Sequence, residues 1–203
     1  MSKIFLSVGS PSTKAQEAFI DNFRSLMMSA GLKPLTADSS SVRPFDNINS
    51  TMRKAEGVIV LALERYHVSE LVERRGADLD HREESILKNV AMPTTWNQVE
   101  AAFAHAWKLP LLVFREQHVW EDALLDRGND WYVHPIRTDG SSKDLLVDQL
   151  LKFAEKVRKT RRPIWHIWRS AGLLERLGAI SALLAIGAVL GQLIAIVVSR
   201  TGL

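Results

Sequence analysis

The chain of 203 residues contains no cysteine. That absence excludes disulfides, thiolate metal sites and a cysteine nucleophile, and it agrees with a reducing cytoplasm. A glycine-rich dinucleotide fingerprint is missing as well. The turn after the first predicted strand reads "SVGSPS", Ser7 to Ser12, and not G-x-G-x-x-G, so a Rossmann clamp is not expected. No internal repeat occurs. The opening "KIFLSV" is short and strand-like and lacks a cleavage site, so it does not read as a signal peptide.

Positive charge is scarce where a nucleic-acid binder needs it. Residues 1–150 carry 17 Lys and Arg against 21 Asp and Glu, a net of −4, while the remainder carries 9 against 2, a net of +7. A mildly acidic globular part argues against nucleic acid as a partner. The C-terminal excess has its own explanation. From Leu177 to Ser199, "LGAISALLAIGAVLGQLIAIVVS" contains no charged residue, and a helix of that length spans the hydrocarbon core of a bilayer. The segment before it supplies Lys156, Arg158, Lys159, Arg161, Arg162 and Arg169, with Trp165 and Trp168 suited to the headgroup layer.

The expectation is a single-pass, tail-anchored protein. Residues 1–160 form a cytoplasmic domain, 161–176 a basic juxtamembrane segment and 177–199 the transmembrane helix, with the lipid bilayer as a partner. Gly187 and Gly191 form a small-residue pair four apart, and Gln192 follows on a seam of alanines and serines. Such a seam lets helices approach closely and hydrogen-bond across the interface, which predicts homo-oligomers.

In the soluble part, strands alternate with helices. Lys3 to Val8, "LKPLTA", Gly57 to Leu63, "LPLLVF" and Trp131 to Arg137 read as strands. Helices are expected from Ser12 to Ala30 with Gly31 as the C-terminal cap, from Ile48 to Ala55, from Thr95 to Trp107, around His118 to Leu125, and from Ser142 to about Thr160. That rhythm predicts an α/β domain in three layers around a central parallel sheet. The charged stretch 64–93 has no strand pattern and reads as an insertion or lid. Its Asp78, Asp80 and His81 lack further ligands at a defined spacing, so no metal is expected, and His67, His105, His118 and His134 look equally scattered.

The most unusual acid is Glu100, inside "TTWNQVEAAFAHAWKLPLLVF". On a helix, Trp96, Val99, Phe103, Ala106 and Trp107 share one arc, expected to face the core, and Glu100 lies at its edge. In an open α/β sheet, ligands gather at the carboxyl ends of the strands. Three segments converge there: the turn with Ser7, Gly9 and Ser10, the loop from Asp38 to Asn47 with Arg43 for phosphate and Phe45 for stacking, and the start of the Glu100 helix.

In its order of elements the chain resembles Toll/interleukin-1-receptor (TIR) domains, which share the flavodoxin-like architecture. "KIFLSVGSPSTKAQEAFIDNFRSLMMSAGLKPL" looks like their opening, "INSTMRKAEGVIVLALERY" like their middle strand with its preceding helix, and "WNQVE" stands where they carry tryptophan and, four residues later, glutamate. "VEAAFAHAWKLPLLVF" is equally similar to the segment of nucleoside 2-deoxyribosyltransferases whose glutamate attacks the sugar. Both resemblances lead to Glu100. The departures are Thr94 where the transferases have Asp-x-Gly, Asn97 after the tryptophan, and the long insertion that separates the middle strand from the glutamate helix.

The TIR resemblance implies a nucleotide N-glycosidase. Glu100 would be catalytic, and Ser7, Gly9, Ser10, Arg43, Phe45, Trp96 and Asn97 would bind substrate. NAD would be the substrate and no cofactor would be needed. It also implies a defence or cell-suicide role switched on by assembly. The alternatives are a non-catalytic nucleotide-sensing module at the membrane and, third, a deoxyribosyltransferase-like enzyme. The plain structural role for Glu100 is a rim carboxylate satisfied by backbone donors.

Overall fold

A computed structural model of the chain describes residues 1–37, 42–78, 83–121, 125 and 133–160. The juxtamembrane segment, the apolar stretch and its Gly187, Gly191 and Gln192 lie outside the described residues. Among the described residues, no helix is long and apolar enough to cross a membrane.

The described residues form seven strands and four helices in the order β1 (Ser2–Val8), α1 (Lys14–Ser29), β2 (Leu32–Leu35), α2 (Pro44–Arg53), β3 (Gly57–Ala62), β4 (Tyr66–Glu73), β5 (Ser85–Met92), α3 (Thr95–Ala106), β6 (Leu111–Glu116), β7 (Val133–Ile136) and α4 (Lys143–Lys159). Five of the strands form a parallel sheet in the order β2-β1-β3-β6-β7. Leaving out the β4–β5 pair, this is the doubly wound order of flavodoxin-like folds, with a topological switch point between β1 and β3. Prolines stand on both edge strands, Pro34 in β2 and Pro135 in β7. An edge tolerates the missing N–H, and the proline discourages further strand pairing there.

Strand periodicity divides the core between two faces. Ile4 and Leu6 of β1 join Ile59, Leu61, Leu112 and Phe114 beneath α1 and α4, where Phe19, Phe23, Leu150 and Phe153 close the layer. Phe5 points the other way, with Val58, Val60, Ala62, Leu111 and Val113, and meets Ile48 and Met52 of α2 and Ala101 and Ala104 of α3. The next residue on that second face is Ser7, buried beside the apolar layer.

Several local expectations hold. Gly31 adopts a φ of +80° beyond the end of α1, a conformation that costs glycine nothing. β3 is buried along its whole length. Others need correction. Helix α1 is capped by Thr13, whose hydroxyl accepts from the Gln16 N–H, and not by Ser12. Helix α2 begins at Pro44, earlier than expected, because proline at the first helical position loses only an N–H that has no intrahelical partner. No helix starts at His118: the chain turns there, and Val119 bridges to Ala91. Residues 122–124 lie outside the described residues.

The largest correction concerns the stretch 64–93. Its described residues contain an antiparallel hairpin pair, β4 against β5, registered from Tyr66↔Met92 to Glu73↔Ser85. Its root is fastened to the body by Trp120 N–H donating to the Ala91 carbonyl at 2.8 Å and by Arg65 Nη1 donating to the Ser10 carbonyl at 3.1 Å.

Candidate active site

The loop between β5 and α3 brings Thr94 to the head of α3, where its hydroxyl accepts from the Trp96 N–H at 3.3 Å. This cap fixes the register of the helix against the sheet. The register differs from the one expected. Asn97, Glu100, Ala101 and Ala104 face the sheet, Trp96, Val99, Phe103 and Trp107 are only half-buried beside them, and Ala106 is exposed. A helix packed closely on a sheet needs small residues at the line of contact, so the bulky aromatics move to the flanks. Trp107 stacks on Phe103 at the far end of the helix and does not line the cleft.

Glu100 is therefore deeper than the edge of an arc, with 7% of its surface exposed. Its partner comes from the anomalous position on β1. The Ser7 hydroxyl hydrogen-bonds the Glu100 carboxylate and accepts in turn from Asn97 Nδ2 at 2.8 Å. Asn97 Nδ2 also approaches the Ser7 carbonyl at 3.3 Å, which ties α3 to β1 one turn before Glu100. Asn97 Oδ1 is buried without a hydrogen-bond partner. Ser7, Asn97 and Glu100 thus form a polar triad beside the apolar cluster of that face.

Burial dominates the electrostatics. Desolvation pushes the Glu100 carboxyl up to about 7, and the Ser7 hydrogen bond opposes that rise without cancelling it. At neutral pH the side chain is then divided between its neutral and ionised forms, the condition suited to a group that must change charge during a reaction.

Glu100 lines a cleft of about 680 Å³ at the carboxyl ends of β1 and β3, the switch point of the sheet. Val8, Gly9 and Ser10 form one side, Thr94 and Trp96 another, Arg65 and Tyr66 a third, and Glu17, Asp21 and Arg24 of α1 complete the wall. Gly9 packs closely on the head of α3: a Cβ there would lie 3.3 Å from Thr94 Cγ2, tighter than an ordinary contact.

Of the expected site residues, Gly9, Ser10, Trp96 and Glu100 line the cleft, while Ser7 and Asn97 support Glu100 from behind. Phe45 lies edge-on to Trp96 with ring centres 5.2 Å apart, and reaches the site through that ring. Arg43 does not join them. Exposed at the head of α2, it faces Asp46 at 3.7 Å and is no part of the cleft wall.

Sequence reasoning missed Arg65 and Tyr66, although they stand between β3 and β4 and at the start of β4, close to the strand end where ligand-binding residues are expected. It also missed a cluster beside the hairpin root. Glu64 accepts from His118 Nε2 at 2.6 Å and pairs with His67 Nδ1 at 3.1 Å, and these contacts, His118 foremost, hold its carboxyl below the ordinary range. No spacing rule links residues 54 apart. Among the described residues no group of three or more acids and histidines is arranged to hold a metal ion, and Asp80 and His81 lie outside the described residues.

No family model, curated protein or solved structure matches the chain. The chemistry of the cleft is therefore the ground for its function.

Proposed function

We propose that the chain is a membrane-anchored, TIR-like nucleotide N-glycosidase that hydrolyses NAD in this cleft. The observation that carries the reading is a buried glutamate, raised to about 7, facing a cleft at the switch point of a parallel sheet. In the reaction the bond from the ribose anomeric carbon to the nicotinamide nitrogen breaks, and nicotinamide leaves with the electron pair as a neutral base. Positive charge appears on the sugar. Ionised Glu100 stabilises it at short range, in a site where burial strengthens the attraction. Water then adds to the anomeric carbon and loses a proton, giving ADP-ribose, nicotinamide and one proton.

One acid is sufficient, because the leaving group is already cationic in the substrate. The same positive charge, placed beside Glu100, favours its ionised form on binding. Ser7 and Asn97 keep the carboxylate aimed at the cleft, and Trp96 offers a ring face to nicotinamide or adenine. The defence or cell-suicide role and activation by oligomerisation belong to the same reading. They are supported by the resemblance and by the small-residue seam at Gly187, Gly191 and Gln192.

The test is nicotinamide release from NAD by the full chain in detergent and on vesicles, beside Glu100→Gln. The expected result is release that falls by roughly 10³-fold or more in the variant. Equal release by both proteins, or none at any surface density, contradicts the hydrolase. The non-catalytic nucleotide-sensing module would then be the remaining reading.

A further inference from the structure

We propose that Arg65 is the phosphate-binding residue of the cleft and that its ligand is the diphosphate of a dinucleotide, which selects such substrates over free nucleosides. The inference deepens the proposed function and rests on it for the reaction, but not for the binding.

The first ground is charge. The wall of the cleft carries Glu17, Asp21 and Glu100 against Arg24 and Arg65. Arg24 is engaged, with Nη1 2.9 Å from Asp21. Arg65 is the one guanidinium of the wall with no carboxylate within 4 Å among the described residues. Its hydrogen bond is to a neutral acceptor, the Ser10 carbonyl, at 3.1 Å. An arginine has five N–H donors in a planar fork, so most of its capacity and all of its charge remain available to an anion.

The second ground is elimination of the usual alternative. In many α/β folds phosphate binds at the helix N-terminus after the first strand. Here that end is partly served: the Gln16 N–H donates to Thr13 Oγ1 at 3.1 Å, and in the turn before it the Ser12 N–H donates to Gln16 Oε1 at 2.8 Å. Glu17 in the first turn adds negative charge to the same wall. A phosphate entering the cleft needs its positive partner from elsewhere.

The third ground is placement. Arg65 sits at the root of the hairpin, where its N–H donates to the Met92 carbonyl at 2.8 Å, and its guanidinium reaches over to the turn that follows β1. The neighbouring Glu64 is held by His67 and His118, so the root is fixed on both sides of Arg65. The insertion between β3 and α3 thereby carries a cation to the mouth of the cleft that holds Glu100.

The experiment measures binding without turnover, by titrating inorganic pyrophosphate, ADP-ribose and nicotinamide riboside into the full chain in detergent. Native protein is compared with Arg65→Gln, Arg65→Lys and Arg43→Gln. We expect Arg65→Gln to weaken pyrophosphate and ADP-ribose at least tenfold and to leave nicotinamide riboside unchanged. Arg65→Lys, which keeps the charge but loses the fork, should fall between, and Arg43→Gln should match the native protein. Unchanged affinity for ADP-ribose in Arg65→Gln overturns the proposal, and so does the failure of native protein to bind either phosphate ligand. The two claims fail separately. Binding through Arg65 without nicotinamide release sinks only the hydrolase, whereas NAD hydrolysis indifferent to Arg65→Gln sinks only the phosphate site.

Discussion

The two faces of the central sheet are built from the same strands and differ in what β1 presents to them. Beneath α1 and α4, β1 gives Ile4 and Leu6 to an apolar cluster in which Phe23 meets Phe114 edge-on at 5.5 Å. Beneath α2 and α3 the apolar series from β1 is interrupted at Ser7, which meets Asn97 and Glu100. Apolar burial stabilises a fold without specifying chemistry, whereas a polar group placed in the same layer costs free energy unless it is satisfied. The first face is therefore the foundation and the second the place where stability is given up for a reactive group.

That contrast is open to attack from either side. The largest effect should come from the apolar face. Phe23→Ala, at a fully buried position, should lower unfolding free energy by about 3–5 kcal/mol in denaturant melts. A loss under about 1 kcal/mol would mean that the face is not the foundation assigned to it.

The polar face should behave in the opposite way and with a pH dependence. Unfolded, Glu100 ionises near 4.5, and in the native state it keeps its proton to about 7. Between those values the native protein binds more protons than the unfolded chain, so stability falls as pH rises from 4.5 to about 7 and is level above. At about 1.4 kcal/mol per pH unit, the loss is roughly 3 kcal/mol. Glu100→Gln should remove that slope and be more stable than the native protein at pH above about 7, an outcome opposite to Phe23→Ala. Melts with the same slope in both proteins would contradict a buried, reluctant carboxylate.

The smallest effect concerns Ser7. Its hydroxyl favours the ionised form of Glu100, so Ser7→Ala should raise the carboxyl above about 7 and shift the rise of activity with pH in the alkaline direction. Removing one hydrogen bond to a charged group is worth about 1.5–3 kcal/mol at most, which bounds the displacement at roughly one to two pH units. A profile that does not move would leave Ser7 a packing residue only.

How much of this was legible in the sequence follows the same division. The parallel sheet was readable because β3 and the first four residues of β6 are unbroken apolar runs and the intervening helices alternate with them. Glu100, Trp96, Asn97, Gly9 and Ser10 were readable because strand ends and the head of α3 must converge at one edge. The hairpin was not. In β4, "YHVSELVE", apolar and polar residues alternate only loosely, and a charged strand exposed on much of its surface resembles a loop. Arg65 was lost with it. The facing of α3 was misjudged because bulky residues mark the apolar arc by composition, while close contact with a sheet selects Ala101 and Ala104. The burial of Ser7 was implicit in the two-residue period of β1, yet its meeting with Glu100 depends on the register fixed by the Thr94 cap.

The most direct test of the account is a carbon-13 NMR titration of the Glu100 side-chain carboxyl in the full chain, assigned by comparison with Glu100→Gln. The account predicts a midpoint near 7. A midpoint in the ordinary glutamate range, about 4.3, would contradict it, because a freely solvated acid has neither the burial nor the position on which the proposed chemistry depends.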